Sequence, residues 1–552
     1  MKLKNGEWWK NAVGYQIYVP SFADSNQDGV GDLNGVREKL DYLVDLGIDF
    51  IWLSPVYESP NVDSGYDISN YYKILPEFGT MDDFDQLLKE AHDKNLRIIM
   101  DLVINHTSNQ HPWFLESKKN KTNPYRNYYI WQPPRKEGGL PSNWESIFGG
   151  SVWEWDVETK EYYMHIFAKE QPDLNWENPV MRQDLYRMIR WWLEKGIDGF
   201  RIDAITHIKK QDLHDVSKEL ADMYMNEEGL GDCLLELKAV FNEYPTILTI
   251  GEASGIPASE AEKWAGENGY FNMIFSFDHI HVWASHPDEQ PDIREMKTAF
   301  DRWQQALAND GWNALFLENH DIPRSVSMFG DQKKYWKRSA KALATLFLLL
   351  RGTPFIYQGQ ELGMTNMHFH SIDELKAVDS KRKYSIRLAK GEAPKEAFEE
   401  LVEVARDNAR TPMQWTDGVY AGFSDVLPWM GVNRNKDLIN AAAEQQDPDS
   451  VWNHYRTLIA LRKEEPGLLV GTFKLHNKTH KKIIVYERKS KEADFLILVN
   501  LTKERASIHL PTTVSEKKWT RCLTNCHSDL EDLRGELVLK SFEATIYKRE
   551  RS

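Results

Sequence analysis

Cysteine is nearly absent from this chain, with three in 552 residues, Cys233, Cys522 and Cys526. So few thiols exclude a disulfide framework and fit reduced cysteines in a cytoplasmic protein. Cys522, Cys526 and His527 would make three metal ligands without a fourth, a weak signal. No apolar run reaches the ~18 residues that a membrane helix requires, and MKLKNGEWWK at the amino terminus contains no apolar h-region. A membrane-free, cytoplasmic protein is therefore expected. Clustered basic residues are missing too, and the formal charge is −16. Neutralising phosphates takes grouped Lys and Arg, so a nucleic-acid partner is excluded.

Aromatics, by contrast, are plentiful: 20 Trp, 23 Tyr and 23 Phe. Such rings either pack in cores or offer flat faces to the C–H surfaces of sugar rings. The length is well past the size at which one hydrophobic core stops growing, so several domains are expected.

Short apolar, β-rich runs alternate with amphipathic helical stretches, the pattern of a parallel sheet. Eight strands are expected at 14–18, 50–53, 97–103, 199–202, 247–250, 273–277, 314–317 and 354–357. Helices are expected between them, among others at 36–46, 81–94, 179–195 and 340–350. That count predicts an α/β fold, a closed (β/α)8 TIM barrel with its chemistry at the carboxyl ends of the strands. The polar residues follow suit: Asn105 and His106 come after the third strand, Asp203 ends the fourth, Glu252 the fifth, and Asn319, His320 and Asp321 the seventh.

About 70 residues intervene between the third strand and the helix at 179, too many for an ordinary βα loop. This insert carries Trp113, Trp131, Trp144, Trp153 and Trp155, and reads as a subdomain overhanging the barrel mouth. From 471 the pattern becomes that of alternating antiparallel strands, as in KIIVYERK and DFLILVNL, which predicts a β-sandwich. The expected division is a barrel over 1–104 and 175–470, an insert over 105–174 and a carboxyl-terminal domain over 471–552.

Two carboxylates facing each other across a sugar ring are the minimum for glycoside hydrolysis. In GFRIDAI, Arg201 and Asp203 are two apart on a strand and face the same way. A cation there would hold Asp203 ionised. The pair could equally be a structural salt bridge. Glu252 ends an apolar strand, where loss of water would favour the protonated form a general acid needs. Asp321 closes the polar run of FLENHD and could hold ring hydroxyls.

These stretches resemble the α-amylase-type glycoside hydrolases, family 13, and within them the oligo-1,6-glucosidase and α-glucosidase group. The resemblance rests on GYQIYVPSF (14–22), DLVINHTS (101–108), QPDLNW (171–176), GFRIDAI (199–205), GEA (251–253), FLENHD (316–321) and GTPFIYQGQELGM (352–364), with RDNARTPMQW (406–415) beyond them. It implies Asp203 as nucleophile, Glu252 as acid/base and Asp321 as transition-state stabiliser, with Arg201, His106 and His320 around the non-reducing glucose. It also implies that Tyr66 stacks under that glucose, that Phe148 and Phe167 wall the pocket, and that Asp63 pairs with an arginine. Arg410 is expected to be that arginine, ahead of Arg406. In this group the residue after the nucleophile tracks linkage, Val with α-1,6 and Thr with α-1,4. Here it is Ala204, which leaves the linkage open.

DSNQDGVGDLNG (24–35) sets Asp24, Asn26, Asp28 and Asp32 at the spacing of half an EF-hand loop, with the Val30 carbonyl as a fifth ligand. Gly35 stands where the usual glutamate would be. The resemblance implies a structural Ca²⁺, and the alternative is an ion-free Asx-turn loop. The implied enzyme is a retaining exo-acting α-glucosidase of short oligosaccharides, a monomer or weak homodimer. Trehalose-6-phosphate hydrolysis and sucrose isomerisation or glucosyl transfer use the same carboxylates and remain open.

Overall fold

The computed structural model describes residues 7–210, 213, 224–266, 268–280, 293–528, 530 and 532–551. The ends of the expected divisions at 1–6 and 552 lie outside these residues, as does most of 211–223.

Eight parallel strands form one sheet: β1 (Gly14–Ile17), β2 (Phe50–Leu53), β3 (Arg97–Leu102), β4 (Gly199–Ile202), β5 (Leu248–Glu252), β6 (Met273–Phe275), β7 (Ala314–Leu315) and β8 (Thr353–Tyr357). Their order is β6-β5-β4-β3-β2-β1-β8-β7, and a parallel bridge between Ile274 and Asn313 joins β6 to β7 and closes the ring. The fold is the expected (β/α)8 barrel. β6 and β7 end two residues earlier than expected, because Phe277 and Leu317 have left the ladder. His320 and Asp321 therefore ride on a loop beyond β7 rather than on its tip.

The surrounding helices show in sequence why they start and stop. Met81–Asp93 opens with a capping box from Thr80 to Asp83. Pro179–Lys195 opens on Asn178, whose side chain accepts from Val180 and Met181, and stops at Gly196 in the left-handed conformation. The helix expected at 36–46 is broken at Lys39 into Leu33–Glu38 and Leu40–Leu46.

Between 105 and 174 the chain builds a three-stranded antiparallel sheet, Trp131–Gln132, Glu161–Met164 and Trp153–Asp156 in that order. It has its own core of Trp144, Val152, Trp153, Met164 and Ile166. Beyond 471 a five-stranded antiparallel sheet packs against a two-stranded one. Alternation along its strands splits the burial: Ile484, Tyr486, Phe495 and Ile497 join the barrel core, whereas Ile483, Val485, Leu496 and Leu498 face the small sheet. No helix among the described residues is long and apolar enough to cross a membrane.

One close approach positions the site. Gly199 starts β4 at φ +145°, and a Cβ there would stand 1.9 Å from the Leu248 carbonyl oxygen of β5. Only glycine lets these two strands lie side by side. Gly199→Ala is expected to cost more than the ~1 kcal/mol typical of a strained backbone position alone. Gly196→Ala, whose Cβ would meet nothing nearer than 3.8 Å, is the control. Calorimetry should show a clearly larger fall in Tm for Gly199→Ala than for Gly196→Ala. Equal falls would contradict the packing argument.

Candidate active site

The floor of the site is built by adjacent strands. Asp101 on β3 is in register with Arg201 on β4, which in turn is in register with Ile250 on β5. The buried Arg201 guanidinium reaches three carboxylates: Nη1 donates to Asp101 Oδ1 at 2.8 Å and to Asp203 Oδ1 at 2.7 Å, and Nη2 donates to Glu252 Oε2 at 2.7 Å. Trp52 lies beneath it, 5.1 Å from ring centroid to guanidinium carbon. Ala204 takes a left-handed conformation, φ 43° and ψ 36°, and its N–H donates to the same Glu252 Oε2 at 2.9 Å. Two donors thus occupy Oε2, and Oε1 is the atom free to carry a proton towards a ligand.

The charge balance differs from the expected one. Arg201 does not serve Asp203 alone. Burial and repulsion from Glu252 and Asp101 outweigh the pull of Arg201 and hold the Asp203 carboxyl well above the usual carboxylate range. Burial raises Asp101 as well, against the opposing pull of Arg201. Three carboxylates on one guanidinium would leave an excess of buried negative charge, and a retained proton relieves it.

The opposite wall is held by two arginines. Arg406 Nη2 donates to Asp63 at 2.7 Å, Nη1 to Asp321 at 3.1 Å and Nε to Asp379 at 2.6 Å. Arg410 donates to Asp321 at 2.8 Å, to the Ser64 hydroxyl at 2.7 Å and to the His320 carbonyl at 2.8 Å. The expected Asp63–Arg410 pair is thus corrected to Asp63–Arg406. Both side chains converge on Asp321 Oδ1 from the two ends of the 3-10 turn Arg406–Ala409, and Asp379 takes the Arg406 Nε so that its fork reaches Asp63 as well. Burial pushes the Asp321 carboxyl up, but His320, Arg406 and Arg410 prevail and set it well below the usual range.

Between these walls lies a cavity of about 280 Å³. Asp203, Glu252 and Asp321 face into it, together with Asp63, Tyr66, His106, Phe148, Phe167 and Ala204. Tyr66 is stacked on His320, with centroids 5.3 Å apart and planes at 5°. Phe148 and Phe167 meet edge to face at 5.6 Å. Burial lowers His106 to about 4, so it is a neutral hydrogen-bonding ring. Arg201, His320 and Arg410 stand behind the lining and hold its carboxylates. The sequence reading missed Asp101, Asp379, His207, Ser254 and Gln171, whose Nε2 reaches Asp63 at 3.1 Å. Asp101 and Gln171 sit inside the quoted DLVINHTS and QPDLNW stretches. Asp379 and Ser254 carried no such signal.

The 24–32 loop is away from this cavity and folds as a set of Asx turns. Asp24 accepts from the N–H groups of Gln27 and Gly29 and from the Ser424 hydroxyl, Asn26 accepts from Asp28, and Asp28 accepts from Val30. Asp32 accepts from Ser25 and caps the following helix at Gly35. Among the described residues no group of three or more His, Cys, Asp and Glu is arranged to hold a metal. The side-chain acceptors of Asp24, Asn26, Asp28 and Asp32 are all oxygens, the chemistry of a hard cation, and each already accepts a hydrogen bond.

The Arg406 cluster gives a pH-dependent expectation. Burial opposes it, but Arg406 and then Lys383 lower Asp379 to about 2. A depressed carboxyl contributes stability that is present above its unfolded value, about 3.9, and lost as pH falls through the folded one. Arg406→Leu should therefore lower Tm strongly at pH 7, and the gap from wild type should narrow between about pH 4 and pH 2. A gap that does not change with pH would argue against the ion cluster.

Residues 16–471 match the family described as alpha amylase, catalytic domain. The chain is 49% identical over 551 residues to the protein named "Probable oligo-1,6-glucosidase 3" of Bacillus subtilis, covering 98% of this chain and 99% of that one. It is 44% identical over 557 residues to the oligo-1,6-glucosidase of Parageobacillus thermoglucosidasius, covering 98% and 99%. The crystal structure of a trehalose-6-phosphate hydrolase mutant from Bacillus licheniformis superposes with a TM-score of 0.94 at 39% identity, covering 98% and 99%. The chain belongs to the α-amylase family of glycoside hydrolases, family 13.

Proposed function

We propose that the protein is a retaining, exo-acting α-glucosidase that releases terminal α-linked glucose from short oligosaccharides. The observation that carries this is the Arg201 fork, which ties Asp203 and Glu252 to one guanidinium beside a small cavity. That closeness suits a nucleophile and an acid/base rather than the ~6.5–9.5 Å gap that inverting enzymes keep for a water. With the proton retained by the Arg201 cluster carried on Glu252 Oε1, Asp203 attacks the anomeric carbon as a carboxylate while the glycosidic bond breaks, and Glu252 gives that proton to the departing oxygen. Water then attacks the same carbon, returns a proton to Glu252 and frees the Asp203 carboxylate. Asp321, with its depressed pKa, stays ionised to accept ring hydroxyls as the sugar flattens.

Asp63 and Arg406 close one end of the cavity, which supports cleavage from chain ends. Tyr66, Phe148 and Phe167 supply apolar faces for the ring, His106 supplies a polar edge, and His320 braces Tyr66 and Asp321 from behind. On linkage, the names of the relatives favour isomaltose-type α-1,6 substrates, and the small Ala204 side chain leaves room for α-1,4. Trehalose-6-phosphate hydrolysis is the second reading, favoured by the structural similarity to such an enzyme. Lys381, Arg382 and Lys383 are its candidate phosphate contacts, though Lys383 already pairs with Asp379. A cytoplasmic setting is supported by three free cysteines. A monomer or weak homodimer completes the reading.

We also propose that the 24–32 loop takes a structural Ca²⁺ through Asp24, Asn26, Asp28 and the Val30 carbonyl. Asp32 would join them, each side-chain oxygen sharing the ion with a hydrogen bond it already accepts. The support is the all-oxygen donor set. Removal of Ca²⁺ by chelation should lower Tm, and re-addition should restore it. An unchanged Tm would count against the ion.

Product analysis on isomaltose, maltose, sucrose, trehalose 6-phosphate and a long glucan tests the activity. Glucose from isomaltose and maltose, without internal cuts in the glucan, is the expected result. Release of long fragments from the glucan interior would refute the exo assignment. Asp203→Asn should lose on the order of 10⁴-fold or more in kcat while remaining folded.

A further inference from the structure

The turn that carries Asp63 and Tyr66 to the catalytic cavity is held by a residue that does not itself line the cavity. Between the short strands Tyr57–Glu58 and Asn70–Ile74 the chain delivers three contacts to the site. Asp63 accepts from Arg406, the Ser64 hydroxyl accepts from Arg410, and Tyr66 stacks on His320. Asp63 to Tyr66 form a tight turn, closed by the Tyr66 N–H on the Asp63 carbonyl at 3.0 Å. Both central residues are left-handed, Ser64 at φ 54° and Gly65 at φ 93°, and so is Asn61 just before them at φ 61°. Left-handed backbone is unfavourable for serine and persists only where the surroundings impose it.

The buried Asp67 side chain supplies that constraint. Its two carboxylate oxygens accept separate main-chain N–H groups at the start of the turn, Oδ1 from Asp63 at 3.0 Å and Oδ2 from Val62 at 3.0 Å. Ser59 ties the same stretch from the other side, donating to the Asp67 carbonyl at 2.7 Å and accepting from the Asn61 N–H at 2.9 Å. Burial pushes the Asp67 carboxyl up to about 6, against the lowering pull of the Asp63 and Val62 N–H groups. Two acceptors for two amide donors is a match that only a carboxylate of this length makes. An asparagine would offer one oxygen and turn its NH2 towards the other N–H. Asp67 is absent from the cavity lining, so it meets the sugar only through the turn it holds.

We propose that Asp67 is a positioning residue for the terminal-glucose end of the cavity, fixing the 62–66 turn so that Asp63 and Tyr66 meet the sugar. The inference rests on the glucosidase reading above. Neither Asp63 nor Tyr66 makes a bond to the anomeric carbon or moves the proton. Misplacing them therefore weakens substrate and transition state alike, and the loss falls on KM more than on kcat.

The test compares wild type with Asp67→Asn, which keeps the volume and removes one acceptor, well below the melting temperatures of both. KM for isomaltose should rise about tenfold or more while kcat stays within about threefold. Inhibition by the glucose-like iminosugar 1-deoxynojirimycin should weaken by a similar factor. The effect should run through Asp63: in an Asp63→Ala background the same substitution should weaken the inhibitor less than about threefold. Ser59→Ala, which frees the Asp67 backbone, replaces Asp67→Asn should that variant fail to fold, and should raise KM about threefold or more. A lower Tm with KM unchanged would overturn the proposal, as would equal losses with and without Asp63, or a fall in kcat alone. Failure of the glucosidase reading would appear separately, as a wild-type enzyme that neither cleaves isomaltose nor binds the inhibitor, and would take this inference with it.

Discussion

The site depends on one guanidinium shared among three carboxylates. Arg201 is buried on β4 and bonded to Asp101 on β3, Asp203 after β4 and Glu252 at the end of β5. A lone buried cation would be costly, and so would any of these carboxylates without it. Together they are mutually required, and strand register puts them in contact before any loop is considered. The barrel supplies that register. Gly199, where only a hydrogen fits against Leu248, lets β4 and β5 approach so that Asp203 and Glu252 share a fork.

A second ion cluster faces the first across the cavity with more cations for the same number of carboxylates. There two guanidiniums, Arg406 and Arg410, serve Asp63, Asp321 and Asp379, and His320 adds a further contact to Asp321. Electrostatics therefore differ on the two sides. Asp203 is held above the ordinary carboxylate range and Asp321 below it. The carboxylates gathered on Arg201 therefore retain a proton among them, available to Glu252 when Asp203 attacks, whereas Asp321 stays charged.

Much of this was legible in sequence. The eight strands, the long insert and the antiparallel tail follow from hydrophobic period and spacing. Asp203 and Glu252 were visible as carboxylates where apolar runs stop. Other features depend on contacts that no local pattern encodes. Asp101 looks like one polar residue in an apolar strand until register places it opposite Arg201. The choice between Arg406 and Arg410 turns on Asp379, 27 residues upstream of Arg406 and on a different helix. The fate of the 24–32 oxygens was likewise hidden, because Asp32 reads as a ligand by spacing yet caps a helix with Oδ1 and accepts from the Ser25 N–H with Oδ2.

The central claim is that Asp203 forms a bond to the sugar while Glu252 moves protons. Trapping the intermediate with a slow glucosyl donor such as 5-fluoro-α-D-glucosyl fluoride, followed by peptide mass spectrometry, tests it directly. The account predicts one fluoroglucosyl group, on the peptide containing GFRIDAI and on Asp203. A label on Glu252 or Asp321, or turnover with no trapped adduct and inverted product configuration, would contradict it.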